Sequence, residues 1–132
     1  MSDVTATVAS ITVDCVDALV VGTFWSAVLG RALDEGASSE FAAIDFAGRR
    51  DAAGWAPLGP GDQPTWLFVR VPEPKTAKNR MHLDVAAADV EAEVGRLVEL
   101  GATRVGDVDE FGYAWTVMAD PEGNEFCLAA TR

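Results

Sequence analysis

Apolar and polar positions alternate along residues 8–15. Ala9, Ile11, Val13 and Cys15 fall on one side, and Val8, Ser10, Thr12 and Asp14 on the other. A period of two predicts a half-buried strand. From Asp17 the period changes. Leu19, Val20, Phe24 and Val28 follow three- and four-residue steps, and Val21 and Trp25 widen the stripe. This predicts a helix whose first-turn N–H groups are accepted by the Asp17 carboxylate. Gly30 is placed to end it in a left-handed turn. Residues 40–46 alternate again and predict a strand. Residues 48–61 are rich in Gly, Pro and small side chains, which predicts a turn, a short strand at about 55–58 and a loop. Residues 65–71 form a further expected strand, aromatic and β-branched, and apolar on both faces. Pro72, Pro74 and the polar stretch to Asn79 stop that pattern, so 72–79 reads as a linker.

The pattern then begins a second time. In Arg80-Met81-His82-Leu83-Asp84-Val85, Met81, Leu83 and Val85 share one face, and Arg80, His82 and Asp84 share the other. Asp89 is a second N-cap. Val90, Val94, Leu97 and Val98 make the buried stripe of a second helix, with Glu91 and Glu93 in its first turn and Gly101 after its end. Strands are expected at 103–105, 111–119 and 125–129, the last two joined by the turn Asp120-Pro121-Glu122-Gly123-Asn124. The halves align: Ser10 to Asp17 lies over His82 to Asp89, and both helices end in Leu-Gly. The repeated unit is a strand, a helix and several strands. Alone, it leaves one sheet face bare. Two such units can share a curved sheet with the helices behind it.

Composition narrows the function. The chain has 132 residues, is 49% hydrophobic and 23% charged, and carries a net charge of −11. That describes one packed domain whose surface repels nucleic acid and anionic membranes. Its basic residues bunch at Arg49, Arg50, Lys75, Lys78 and Arg80, a grouping that suits either an anionic ligand or local compensation of carboxylates. The two cysteines, Cys15 and Cys127, lack metal-motif spacing and are expected as free thiols. The first five residues show no leader, and no apolar run approaches the ~20 residues of a membrane span. A cytoplasmic protein is expected.

Four motifs carry a family resemblance: Phe24 to Gly30, Val71 to Lys75, Lys78 to Asp84, and Asp120 to Phe126. Together they resemble the vicinal oxygen chelate superfamily of glyoxalases, bleomycin-resistance proteins and dioxygenases. More narrowly, they are similar to the glyoxalase-like domains common in actinobacteria. The resemblance implies an α+β fold: two paired βαβββ modules, at 5–71 and 80–132, forming a curved mixed sheet around a cavity with helices on the outer face. It also implies a homodimer and a small organic molecule as partner. Enzymes of this group place a histidine or similar ligand on a module's first strand and a carboxylate on its last. Here His82 matches. Ser10, Cys127 and the 65–71 strand do not.

No cofactor is therefore expected. A divalent metal held by His82, Cys127 and Glu125 is the minor alternative. The leading expectation is a metal-independent pocket contacted by His82, Glu125, Arg80, Asp84, Cys127, Trp66, Phe68 and Trp115. The competing expectation is a lyase, isomerase or dehydratase in which His82 and a Glu125 of raised pKa exchange protons with substrate. A third is a domain that serves only for dimerisation. Trp66 and Phe68 line the pocket only if they face inward with Arg70; otherwise they are core.

Overall fold

Asp17 opens the first helix as its sequence position requires. In the computed structural model, which describes residues 6–132, its carboxylate accepts the backbone N–H groups of Leu19 and Val20 at 3.0 and 3.1 Å. Helix α1 (Ala18–Leu29) then runs until Gly30 takes a left-handed conformation with φ of 64°. Residues 1–5, which include the stretch read for a leader and the start of the expected first module, lie outside the described residues. The chain divides into two units, one reaching Pro72 and the other starting at Glu73.

In the first unit, β1 (Ser10–Cys15) lies parallel to β5 (Thr65–Arg70), and β2 (Phe41–Ile44) lies antiparallel to β5. The sheet order is β1-β5-β2. One sheet face packs beneath α1. Val21, Phe24 and Trp25 of the helix are buried, as are Ala42, Ile44, Trp66 and Phe68 of the sheet. Trp25 and Trp66 meet with ring centroids 5.3 Å apart. Gly22 permits this closeness, since a Cβ there would lie 3.1 Å from Ala42 Cβ and 3.2 Å from the Phe68 ring. Between β2 and β5, β3 (Arg50–Asp51) and β4 (Gly54–Trp55) form a separate two-stranded ribbon. The sequence predicts only the second of these, slightly later. Arg50 and Asp51 carry no apolar alternation to mark a strand.

The stretch after α1 forms no strand, yet it follows the edge of β2. Asp34 N–H donates to Ala43 O at 2.8 Å. The Asp34 carboxylate accepts the N–H groups of Asp45, Phe46 and Ala47 at 2.8–3.0 Å, so one side chain holds the turn that leaves β2.

The second unit is a full strand–helix–three-strand module. Its sheet runs β6-β9-β8-β7, from β6 (Leu83–Ala87), β7 (Thr103–Glu110), β8 (Tyr113–Ala119) and β9 (Glu125–Ala130). β6 and β9 are parallel, and the other pairs are antiparallel. Helix α2 (Val90–Glu99) starts at Asp89, whose carboxylate accepts the Ala92 N–H at 3.1 Å. Val94 and Leu97 are its buried residues. Its polar side is tied by Glu93–Arg96 at 2.7 Å and by Glu91–Arg104 at 3.1 Å.

β7 is longer than the sequence suggests, because 106–110 is too polar to announce itself. Phe111 and Gly112 belong to a two-residue hairpin turn rather than to β8. Both have positive φ, 56° and 81°, which fits the right-handed twist of a tight hairpin and suits glycine. The Asp120-Pro121-Glu122-Gly123-Asn124 turn is closed by the buried Asp120 carboxylate, which accepts from Glu122 N–H, Asn124 N–H and the Asn124 side-chain amide at 2.9–3.1 Å. The fold is α+β, with each helix packed on the sheet of its own unit. No described helix is long and apolar enough to cross a membrane.

Candidate functional site

The parallel pairing of β6 with β9 decides which side chains share a face. Leu83 lies opposite Phe126 and Val85 opposite Leu128; Phe126 and Leu128 are buried. The intervening residues point the other way. Asp84 is registered with Cys127, and His82 precedes Asp84 by two residues. Their ligand atoms converge. One nitrogen of His82, one oxygen of Asp84 and Cys127 Sγ all lie within 4.8 Å of one another. His82 Nε2 is 3.7 Å from Asp84 Oδ1. His82 and Asp84 are exposed, whereas Cys127 is only 9% exposed. Removal from water, followed by the charge of nearby Asp84, pushes the Cys127 thiol up from its ordinary value.

Glu125 stands two residues before Cys127 on β9, but it is not in this group. Its carboxylate accepts a hydrogen bond from Lys78 Nζ at 2.8 Å. That bond outweighs burial and holds its carboxyl below the usual carboxylate range. The expectation of a raised pKa and a general base is corrected accordingly: the sequence hides a lysine 47 residues away that lands on the acid. Asn79 joins it, with its Oδ1 accepting the Glu125 N–H at 3.4 Å and its Nδ2 donating to Met81 O at 3.1 Å. The stretch read as a linker therefore lies along the end of β9. Its clue in the sequence was the bunching of Lys75, Lys78 and Arg80.

Three other expected residues separate from this group. The strand starts at Leu83 rather than Arg80, so Arg80 and His82 precede it, and Arg80 is exposed. Trp66 and Phe68 are packed beneath α1 at 5% and 0% exposure, and Phe68 also stacks on Trp66 at 6.1 Å. The reading of these two rings as ligand contacts gives way to core, because the first helix offers the aromatic partner Trp25. Trp115 remains a candidate. Val117 pairs with Cys127, so Trp115, two residues away, shares its face, and it is half-buried.

The sequence over residues 10–129 matches the glyoxalase-like domain family. The chain belongs to that family. Solved structures with the same fold include a glyoxalase/bleomycin resistance protein/dioxygenase family enzyme from Burkholderia phytofirmans PsJN. It is 16% identical with a TM-score of 0.69, over 96% of this chain and 100% of that one. A bleomycin-binding protein from Streptomyces verticillus, complexed with copper(II)-bleomycin, is 17% identical with a TM-score of 0.57, over 98% and 100%. A mutant fosfomycin resistance protein from Listeria monocytogenes, complexed with Mn(II) and 1S,2S-dihydroxypropylphosphonic acid, is 12% identical with a TM-score of 0.67, over 98% and 93%. At such identities the likeness is one of fold. No curated protein matches the chain. Within this glyoxalase-like domain, His82, Asp84 and Cys127 form the one group of three or more metal-capable side chains found among the described residues.

Proposed function

We propose that this glyoxalase-like domain binds a small organic molecule on the open sheet face of its second unit. His82, Asp84, Cys127 and Trp115 supply the contacts, and Lys78 and Glu125 stand at the edge. The observation that carries the reading is the convergence of an imidazole, a carboxylate and a thiol within 4.8 Å on one sheet face. The imidazole both donates and accepts hydrogen bonds, Asp84 accepts them, and the protein supplies apolar surface through the indole. Neighbours of the same fold hold bleomycin or a phosphonate, which supports small-molecule binding as the general use of this architecture.

The donor chemistry argues against a resident hard cation. Such ions want several oxygen ligands, and this group offers one carboxylate beside nitrogen and sulfur. Glu125, the other nearby carboxylate, is held by an ammonium. A borderline ion such as zinc is the second reading, and one observation favours it. Asp84 supplies the third donor that the sequence reading sought in Glu125. A nitrogen and an oxygen on one tetrahedral zinc lie about 3.4 Å apart, so the His82–Asp84 separation of 3.7 Å would need to close by a few tenths of an ångström. In that case His82, Asp84 and Cys127 would hold the ion, and it would supply Lewis acidity toward a bound oxygen.

Mass spectrometry of molecules released by heating the purified protein tests the first reading. Near-stoichiometric release of one compound, lost in His82→Ala and retained after chelator dialysis, is the expected result. An identical release profile from His82→Ala sinks it. One equivalent of zinc, lost in Cys127→Ala, would favour the second reading instead.

A further inference from the structure

The acids of the second unit differ in what holds them. Glu93 is bound to Arg96, and Glu91 and Asp107 to Arg104. Asp89 caps α2, and Asp120 closes its turn. On the parallel pair β6 and β9, Glu125 is held by Lys78 at 2.8 Å, whereas Asp84 is not held. The Asp84 side chain is 81% exposed, and among the described residues it accepts no hydrogen bond. His82 Nε2, at 3.7 Å, lies beyond hydrogen-bond reach.

Cys127, in register with Asp84, is also unengaged. It is 9% exposed, its sulfur is directed at the His82 and Asp84 ligand atoms, and it makes no hydrogen bond among the described residues. The thiol of Cys15, by contrast, reaches Val69 O at 3.6 Å. The basic residues next in sequence are committed elsewhere. Lys78 Nζ donates to Glu125, and Lys75 Nζ donates to Ala77 O. Arg80 is exposed and precedes the strand. The charges that reach Cys127 are those of Asp84 and Glu125 against Lys78, two negative and one positive. Across β9 from Asp84, the register brings Val117 beside Cys127, and Trp115 stands two residues along β8. Both are half-buried.

Resting on the reading of the His82 face as the ligand site, we infer that its occupant is an organic cation. An ammonium or amidinium head sits against Asp84 and the Cys127 sulfur, and an apolar or aromatic body lies over Val117 toward Trp115. Charge complementarity selects the head. A carboxylate that no protein donor holds attracts a cationic donor and repels a carboxylate or phosphate. The thiol sulfur and a neutral imidazole nitrogen accept further N–H groups. The indole accepts the body, and its ring face also attracts cations.

Three probes that share a phenylethyl body test the head: phenethylamine, phenethyl alcohol and hydrocinnamate. Each is followed by amide shift mapping at about pH 8, where an ordinary imidazole is neutral. Phenethylamine should shift residues 84, 115, 117 and 127 saturably and bind about tenfold tighter than the alcohol, the worth of one hydrogen bond to a charged group. Hydrocinnamate should leave them unmoved. Asp84→Asn, which keeps the shape, should bring the amine down to the affinity of the alcohol and leave the alcohol as it was. Added sodium chloride should weaken the amine and not the alcohol. Equal or tighter binding of the alcohol or of hydrocinnamate at these residues would overturn the cation and leave the ligand face standing. An amine affinity unchanged in Asp84→Asn would do the same. If none of the three probes moves these residues, the cation falls. The face itself falls only if the compound released on heating is also unaffected by His82→Ala.

Discussion

The two units share a plan and load it differently. Matching the parallel pairs, Ile11–Trp66 in the first corresponds to Leu83–Phe126 in the second. Ser10 and Thr12 then stand where the second unit has His82 and Asp84. Thr65 and Leu67 stand where it has Glu125 and Cys127. The Thr65 hydroxyl is committed, donating to Asp45 O at 2.6 Å, and Leu67 offers no donor atom. In return, the first unit has the richer core, with Trp25, Trp66, Phe24 and Phe68 buried, whereas α2 buries only Val94 and Leu97. The comparison teaches that a duplicated module can specialise by face. One copy gathers aromatic mass under its helix, and the other keeps polar donors on the opposite side of its sheet.

The largest expected effect breaks the comparison from the core side. Phe68→Ala should cost about 3–5 kcal/mol in urea unfolding. His82→Ala, at the proposed ligand site, should change stability by less than about 0.5 kcal/mol. Comparable losses in both would mean that His82 is a structural residue.

The next effect compares two turn-holding carboxylates. Asp120 is buried at 3% exposure, and Asp34 is half-buried. Each accepts three donor groups or more. Asp120→Ala should cost about 2–3 kcal/mol and Asp34→Ala about 1–2 kcal/mol, since lost charge-assisted bonds leave costlier orphans where water cannot replace them. Equal costs in thermal unfolding would contradict the difference in burial.

Acid should act visibly on the second unit. Hydrogen bonds from Arg96, Arg104 and Lys78 hold the carboxyls of Glu93, Asp107 and Glu125 below the usual range. A carboxyl depressed in the folded state contributes stability above its unfolded pKa of about 4, and that contribution is lost as pH falls through the folded value. Amide protection in α2 and β7–β9, measured as exchange relative to the intrinsic rate at each pH, should therefore fall as the pH drops below about 4. Protection there that is flat with pH would show these ion pairs to be idle. A smaller effect isolates one pair. In Lys78→Ala, the Glu125 carboxyl, followed by carbon NMR, should titrate at a higher pH than in the parent, and no change would remove Lys78 as the cause.

Much of the fold was legible because its signals are local. Asp17 and Asp89 cap the helices that their positions announce, Gly30 ends α1, and the repeat in hydrophobic period marks both units. Failures occurred where local pattern is weak. The Phe111-Gly112 turn looked like strand because Phe111 is apolar, although it is 91% exposed. The β5 strand is apolar on both faces, so its parity could not be read until the register with β1 and the position of Trp25 fixed it. At the site, alternation alone placed His82 beside Asp84 on one face. The engagement of Glu125 by Lys78 is a contact between residues far apart in the chain, which periodicity does not encode. Membership of the glyoxalase-like family was readable from four short motifs, whereas the side chains that share a face with Cys127 could be read only from the β6–β9 register.

The proposed ligand site is the face of the second unit's sheet that carries His82, Asp84 and Cys127. Amide chemical-shift mapping with a library of small polar and aromatic fragments reports on that face residue by residue. Binding fragments should move the signals of residues 82–85, 115 and 125–127, with the shifts abolished by His82→Ala. Fragments that bind the parent yet leave those residues unmoved, or shift them equally in His82→Ala, would contradict it.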